Sequence, residues 1–180
     1  MESMSRDHAH GPGRVVVGVS GSLGSVTALC RAATEARRRG AELWPVLAWE
    51  PPGGELAARR SAASTLLVDE WDRLARHRLR ALLSEVFGDA GPGVPLNGLV
   101  VRGAPGPALV ELAGRDEDVL VVGTGRRGWR RAFSGRVAAY CLRHARCPVL
   151  AVPPSPLERA LAAAHRRNSW HLPLTSKQLS

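Results

Sequence analysis

Residues 118–131, from Asp118 to Arg131, read DVLVVGTGRRGWRR, and this stretch decides the fold. Val119 to Val122 is a short uninterrupted apolar run, the mark of a strand buried on both faces. It breaks into Gly123, Gly125 and Gly128, with Arg126, Arg127, Arg130 and Arg131 among and after them. Glycines let backbone N–H groups come close to a ligand, the start of a following helix favours anions, and arginine adds charge-assisted bonds to phosphate. Strand, glycine loop and arginine cluster together point to a pocket for a phosphorylated small molecule. The plainer alternative is a turn into a helix whose arginines are merely solvated.

The letters GTGRRG also match a dinucleotide-binding fingerprint. That motif follows the first strand of its fold and needs an acidic residue about 20 residues on. Here the loop comes late, and the corresponding stretch is CPVLAVP, Cys147 to Pro153, which holds no acid. The dinucleotide reading therefore lacks the context it needs and is disfavoured.

Working outward, Arg14 to Val19 is a first buried strand. It runs through Ser20-Gly21-Ser22, a turn ending in a helix N-cap, into a helix that Gly40 stops after Arg39. Val26, Leu29, Cys30, Ala33 and Ala36 recur there at helical spacing. Ala41 to Trp49 is a second strand, in which Pro45 lacks a ladder donor and suggests a bulge or a place near the sheet edge. A long amphipathic helix follows from Ser64 to Phe87, with Leu67, Trp71, Leu74, Arg78 and Leu82 along one face. Leu96 to Val101 is a third strand, and Gly103-Ala104-Pro105 turns into another helix. After the fourth strand come a helix from Gly135 to Ala145 and a fifth strand from Cys147 to Val152. Residues 1–13 read as a disordered leader, and residues 155–180 as a basic extension.

Strands alternate with helices five times. That calls for an α/β fold, a five-stranded parallel sheet covered on both faces, with right-handed crossovers. Ligands in such folds sit beyond the carboxyl ends of the strands, where the strand order switches. The turn after strand one and the loop after strand four both lie at that edge.

Hydrophobic residues make up 44% of the 180, enough for a proper core. No apolar run is long enough for a membrane span, and no apolar segment precedes the first strand, so no secretory signal is expected. A cytoplasmic protein with reduced Cys30, Cys141 and Cys147 is the expectation. Lys and Arg total 25 against 16 Asp and Glu, a net +9. The cations are scattered and aromatics are few, which argues against a nucleic-acid surface. Cys141, His144 and Cys147 have C-x2-H-x2-C spacing but supply only three ligands, so no metal site is expected.

Several segments together resemble the universal stress protein family over nearly all of residues 14–154. They are VVVGVSGSLGSVTAL, VVRGAPGPALVELA, DVLVVGTGRRG and HARCPVLAVPPSP. The resemblance implies a three-layer α/β/α sandwich of the adenine nucleotide alpha hydrolase-like kind, homodimers through the fifth strand around Val149 to Val152, and stress-linked roles. It implies ATP binding in one branch of the family and not in another. The nucleotide-binding branch has an Asp after strand one and a G-x2-G-x9-G-S/T motif. Here the Asp position holds Ser20, Gly135 follows Gly128 too soon for x9, and Arg136 replaces the hydroxyl residue. The candidate site combines Val19 and Ser20 with Val122, Gly123, Thr124, Gly125, Gly128, Gly135, Arg136 and Val137. Val46 and Val101 are candidates for apolar contact with a base. The expected role is non-catalytic adenine-nucleotide binding or sensing without a metal. Two alternatives stay open: a ligand-free dimeric interaction module, and an enzyme. The enzyme reading rests on Ser20 to Ser25, SGSLGS, a loosened form of the SGGxDS loop of the ATP pyrophosphatases.

Overall fold

A computed structural model describes residues 13–51, 62–124 and 132–156. The readings of residues 1–12 and 157–180, and those placed on Gly125 to Arg131, lie outside the described residues. The element order is β1 (Arg14–Gly18), α1 (Leu23–Arg39), β2 (Glu42–Trp49), α2 (Ala62–Phe87), β3 (Leu99–Arg102), α3 (Pro105–Leu112), β4 (Val119–Gly123), α4 (Ala132–His144) and β5 (Val149–Val152). All five strands are parallel, in the order β3-β2-β1-β4-β5.

The order explains the layers. From β1 the chain steps outward to β2 and β3, then crosses back to β4 and steps outward again to β5. Right-handed crossovers put the helices of those two excursions on opposite faces. Val15 and Val17 meet Leu29, Ala32 and Ala36 of α1, and Leu79 and Leu82 of α2 join the same core. Val16, Leu120 and Val122 face the other way, toward Leu109 of α3 and Ala138 and Cys141 of α4. Adjacent residues of β1 and β4 thus feed different cores, which is why these strands read as unbroken apolar runs.

Local chemistry sets the ends of α1. Ser22 is its N-cap, accepting from the Ser25 N–H at 3.3 Å, and Gly40 closes it with φ +62°. The alanines on its buried face bring the helix close to the sheet, while Cys30, expected on that face, is exposed. Among the described side chains of α2 the buried positions are Ala75, Leu79 and Leu82, and Leu74 and Arg78 face solvent; Leu67 lies outside the described side chains.

Pro45 is fully buried in β2, one strand in from the edge, and sits in regular register with Val17. Leu43 bonds toward the β3 side through its N–H to Pro95 and its carbonyl from Asn97, both 2.9 Å. By the two-residue period Pro45 turns its nitrogen to the same side. There the β2–β3 ladder is interrupted between the Leu43–Leu96 bridge and the Val46–Leu99 pair. Strand β3 accordingly begins at Leu99 and not at Leu96.

At the amino end of the sheet, Asp118 is fully buried and paired with Arg14. Nε donates to Oδ1 at 2.9 Å and Nη2 to Oδ2 at 2.5 Å. Arg14 Nη2 also reaches the Leu112 carbonyl at 3.0 Å, and the Arg115 N–H donates to Asp118 at 3.0 Å. Hydrogen bonding to Asp118 holds the Arg14 guanidinium above its usual range. The pair locks β1 to the start of β4. Arg14→Met leaves a buried charge alone and is expected to cost about 3–5 kcal/mol, whereas Arg14→Met with Asp118→Leu recovers most of that loss. Urea unfolding of both variants checks this, and equal losses would contradict it.

Cys141 and Cys147 are buried, and burial pushes the Cys141 thiol up to about 11. Alkylation of the native protein at mildly alkaline pH is therefore expected to modify Cys30 and to spare both others until the fold is opened. Mass mapping reads the outcome, and native labelling of Cys141 would refute it.

Candidate functional site

The switch in strand order lies between β1 and β4, and a cleft opens there at their carboxyl ends. Its volume is about 170 Å³. Gly18, Val19 and Ser20 leave β1 along its floor, and Ser22, Gly24 and Ser25 bring in the start of α1. Val46 and Ala48 of β2, Pro105 and Leu109 of α3, Val122 and Gly123 of β4, and Val137 of α4 complete the lining.

Two glycines allow this convergence. A Cβ on Gly123 would lie 3.0 Å from the Gly24 carbonyl oxygen, so the α1 turn rests directly on the end of β4. A Cβ on Gly18 would lie 2.8 Å from Leu109 Cδ1, so Leu109 covers the end of β1. The walls are mostly aliphatic, fit for a flat apolar ring. The polar atoms gather on one side. Ser25 Oγ donates to the Ser22 carbonyl at 2.8 Å, and the Ser20 and Ser22 hydroxyls are paired at 3.1 Å. The Leu23 and Gly24 amides belong to the first turn of α1, where no helix carbonyl precedes them. With the helix dipole they make an electropositive corner.

Of the residues expected at the site, Val19, Ser20, Val46, Val122, Gly123 and Val137 line this cleft. Val101 does not. It pairs with Ala48 one strand outward and packs into the core under α3 and α4. The chain turns after Arg102, so Pro105 and Leu109 reach the cleft in its stead. Thr124 turns away to β5, donating its N–H (2.9 Å) and Oγ1 (3.3 Å) to the Val152 carbonyl. Gly135 falls inside α4, which starts earlier than the sequence suggests. Arg136 is exposed and does not line the cleft, so its side chain leaves the opening clear. Gly125 and Gly128 lie outside the described residues. Sequence reasoning missed Gly18, Ser22, Gly24, Ser25, Ala48, Pro105 and Leu109. Ser22 and Pro105 carried a signal, since both sit at the starts of helices that follow strands.

Among the described residues no group of three His, Cys, Asp or Glu could hold a metal ion. His144 Nδ1 lies 2.8 Å from the Tyr140 carbonyl, and its ring stacks on Tyr140 with centroids 4.1 Å apart. No helix among the described residues is long and apolar enough to cross a membrane.

The model of the Universal stress protein family matches residues 12–153. The chain belongs to the universal stress protein family. It is 31% identical over 160 residues to universal stress protein Rv1996 of Mycobacterium tuberculosis H37Rv, covering 79% of this chain and 49% of that one. It is 32% identical over 142 residues to universal stress protein Rv2623 of the same strain, covering 76% and 43%. The chain spans about half the length of these curated relatives. Among solved structures, a universal stress protein in complex with cAMP is 30% identical with a TM-score of 0.50, covering 81% of this chain and 100% of that one. UspA from Lactobacillus plantarum, at 21% identity and TM-score 0.59 with 79% and 99% covered, shares the fold.

The Gly24–Gly123 contact yields a prediction. Both partners are backbone, so Gly123→Ala must push α1 off β4. A loss of about 1–3 kcal/mol is expected, in the range of overpacked cores. Thermal unfolding reads it, and an unchanged or raised midpoint would show that the contact is loose.

Proposed function

We propose that this universal stress protein binds an adenine nucleotide in the β1–β4 cleft and acts as a non-catalytic sensor. The observation that carries the reading is the cleft's two-sided character. An aliphatic slot from Val46, Ala48, Leu109, Val122 and Val137 adjoins a serine-lined helix start. The slot suits a purine ring, and the helix start suits a phosphate. The cAMP complex of a related universal stress protein supports the same ligand class. At about 170 Å³ the described cleft encloses a base better than a whole nucleotide, so the sugar and phosphates extend toward the rim. Gly125, Gly128, Gly135 and Arg136 are the candidates to meet them there.

None of the described lining residues is a His, Asp, Glu, Lys or Cys, and the serines have no base beside them in the lining. That supports binding without turnover. In this reading the protein works in the cytoplasm as a homodimer, paired through the open edge of β5.

Calorimetry with AMP, cAMP and ATP tests the ligand. Ala48 is only half-buried, so Ala48→Phe fills the slot without overpacking a sealed core. At least about a tenfold loss of affinity, equivalent to about 1.4 kcal/mol, is expected with little change in thermal stability. Undiminished binding by this variant, or no binding by the parent at millimolar nucleotide, would reject the site.

A further inference from the structure

We infer that Thr124 is a positioning residue of the cleft, whose hydroxyl ties the end of β4 to β5 and so holds Gly123 against the first turn of α1; this rests on the nucleotide reading above. Thr124 does not line the cleft, but it directly follows Gly123, which does. Gly123 and Val152 form the last pair of the β4–β5 ladder. Beyond them, Thr124 donates its N–H at 2.9 Å and its Oγ1 at 3.3 Å to the same Val152 carbonyl. In a parallel ladder the next bond would return from the N–H of residue 154 to the Thr124 carbonyl. That residue is Pro154, which has no N–H. The hydroxyl therefore adds a tie where the backbone can make no further one.

What the tie holds is a contact without slack. A Cβ on Gly123 would lie 3.0 Å from the Gly24 carbonyl oxygen and 3.9 Å from Ala28 Cβ, so the first turn of α1 sits directly on the end of β4. Gly24 and Ser25 line the cleft, and the Ser25 hydroxyl holds the Ser22 carbonyl at 2.8 Å. Backbone packed on backbone has no side chain to repack, so a shift of the β4 terminus passes to that turn. The placement of the serine corner against the slot of Val46, Ala48 and Leu109 thus depends on a residue outside the lining.

Titration calorimetry with cAMP on the whole chain, as Thr124→Val and as Thr124→Ser, tests this. Val keeps the shape and the N–H bond and removes the hydroxyl; Ser keeps the hydroxyl. Thr124→Val is expected to bind cAMP about fivefold more weakly, within the range of one hydrogen bond, and Thr124→Ser to stay within about twofold of the parent. Amide spectra of the unliganded Thr124→Val chain are expected to shift at Gly24 and Ser25 and to stay unchanged from Ala75 to Leu82 of α2. Thr124→Ala repeats both measurements if the Val variant does not fold. Parent-like affinity in the variant without the hydroxyl, equal losses with and without it, or unmoved Gly24 and Ser25 amides each overturn the inference and leave the nucleotide site standing. Absence of cAMP binding by the parent chain removes the nucleotide site, and the inference with it.

Discussion

The backbone of Gly24 resting on the end of β4 at Gly123 is the contact on which the rest depends. No side chain fits between them, since even a methyl group would stand 3.0 Å from the Gly24 oxygen. That contact brings the first turn of α1 to the one place where the strand order reverses. The serines of the β1–α1 turn then share a cleft with the aliphatic ends of β2 and β4 and with α3. A larger residue at position 123 would separate the polar corner from the apolar slot. At the far end of the same two strands, the buried Arg14–Asp118 pair fixes their relative height. The carboxyl edge is positioned by close packing at one end and by a charge-assisted clamp at the other.

Much of the architecture was legible because its signals are local. Apolar runs such as Val119 to Val122 announce buried strands, Ser22 and Gly40 bracket α1, and Pro105 opens α3 where a proline is tolerated. Their alternation with helical periods calls for a parallel sheet. The failures have physical causes that lie outside local pattern. Pro45 pointed to a bulge or a place near the sheet edge; it lies one strand in, and which gap of the β2–β3 ladder absorbs its missing donor is set only by tertiary register. Leu74 and Arg78 fit the helical period, but the face of α2 that meets the sheet is set by Ala75, Leu79 and Leu82.

The candidate site was legible by edge and not by side chain. Knowing that strands one and four end together locates Val19, Ser20, Val122 and Gly123. It does not show that Thr124 turns to the Val152 carbonyl, or that Val101 sits a strand too far out. Leu109 and Pro105 enter through a helix distant in sequence, and their part depends on Gly18 having no Cβ. Arg136 and Val137 show how fine the distinction is. They are neighbours on α4, about 100° apart around the helix, and only Val137 faces the cleft. The Arg14–Asp118 clamp had a faint sequence trace, a charged residue placed at the start of each of two fully apolar runs.

The central claim is that ligand binds where β1 and β4 diverge. Amide chemical-shift mapping of the isotopically labelled chain during a titration with cAMP tests it most directly. The account predicts that the largest shifts fall on Gly18 to Ser25, on Val122 to Thr124 and on Val137. Shifts confined to α2 and the outer face of β3, with the β1–α1 turn silent, would contradict it.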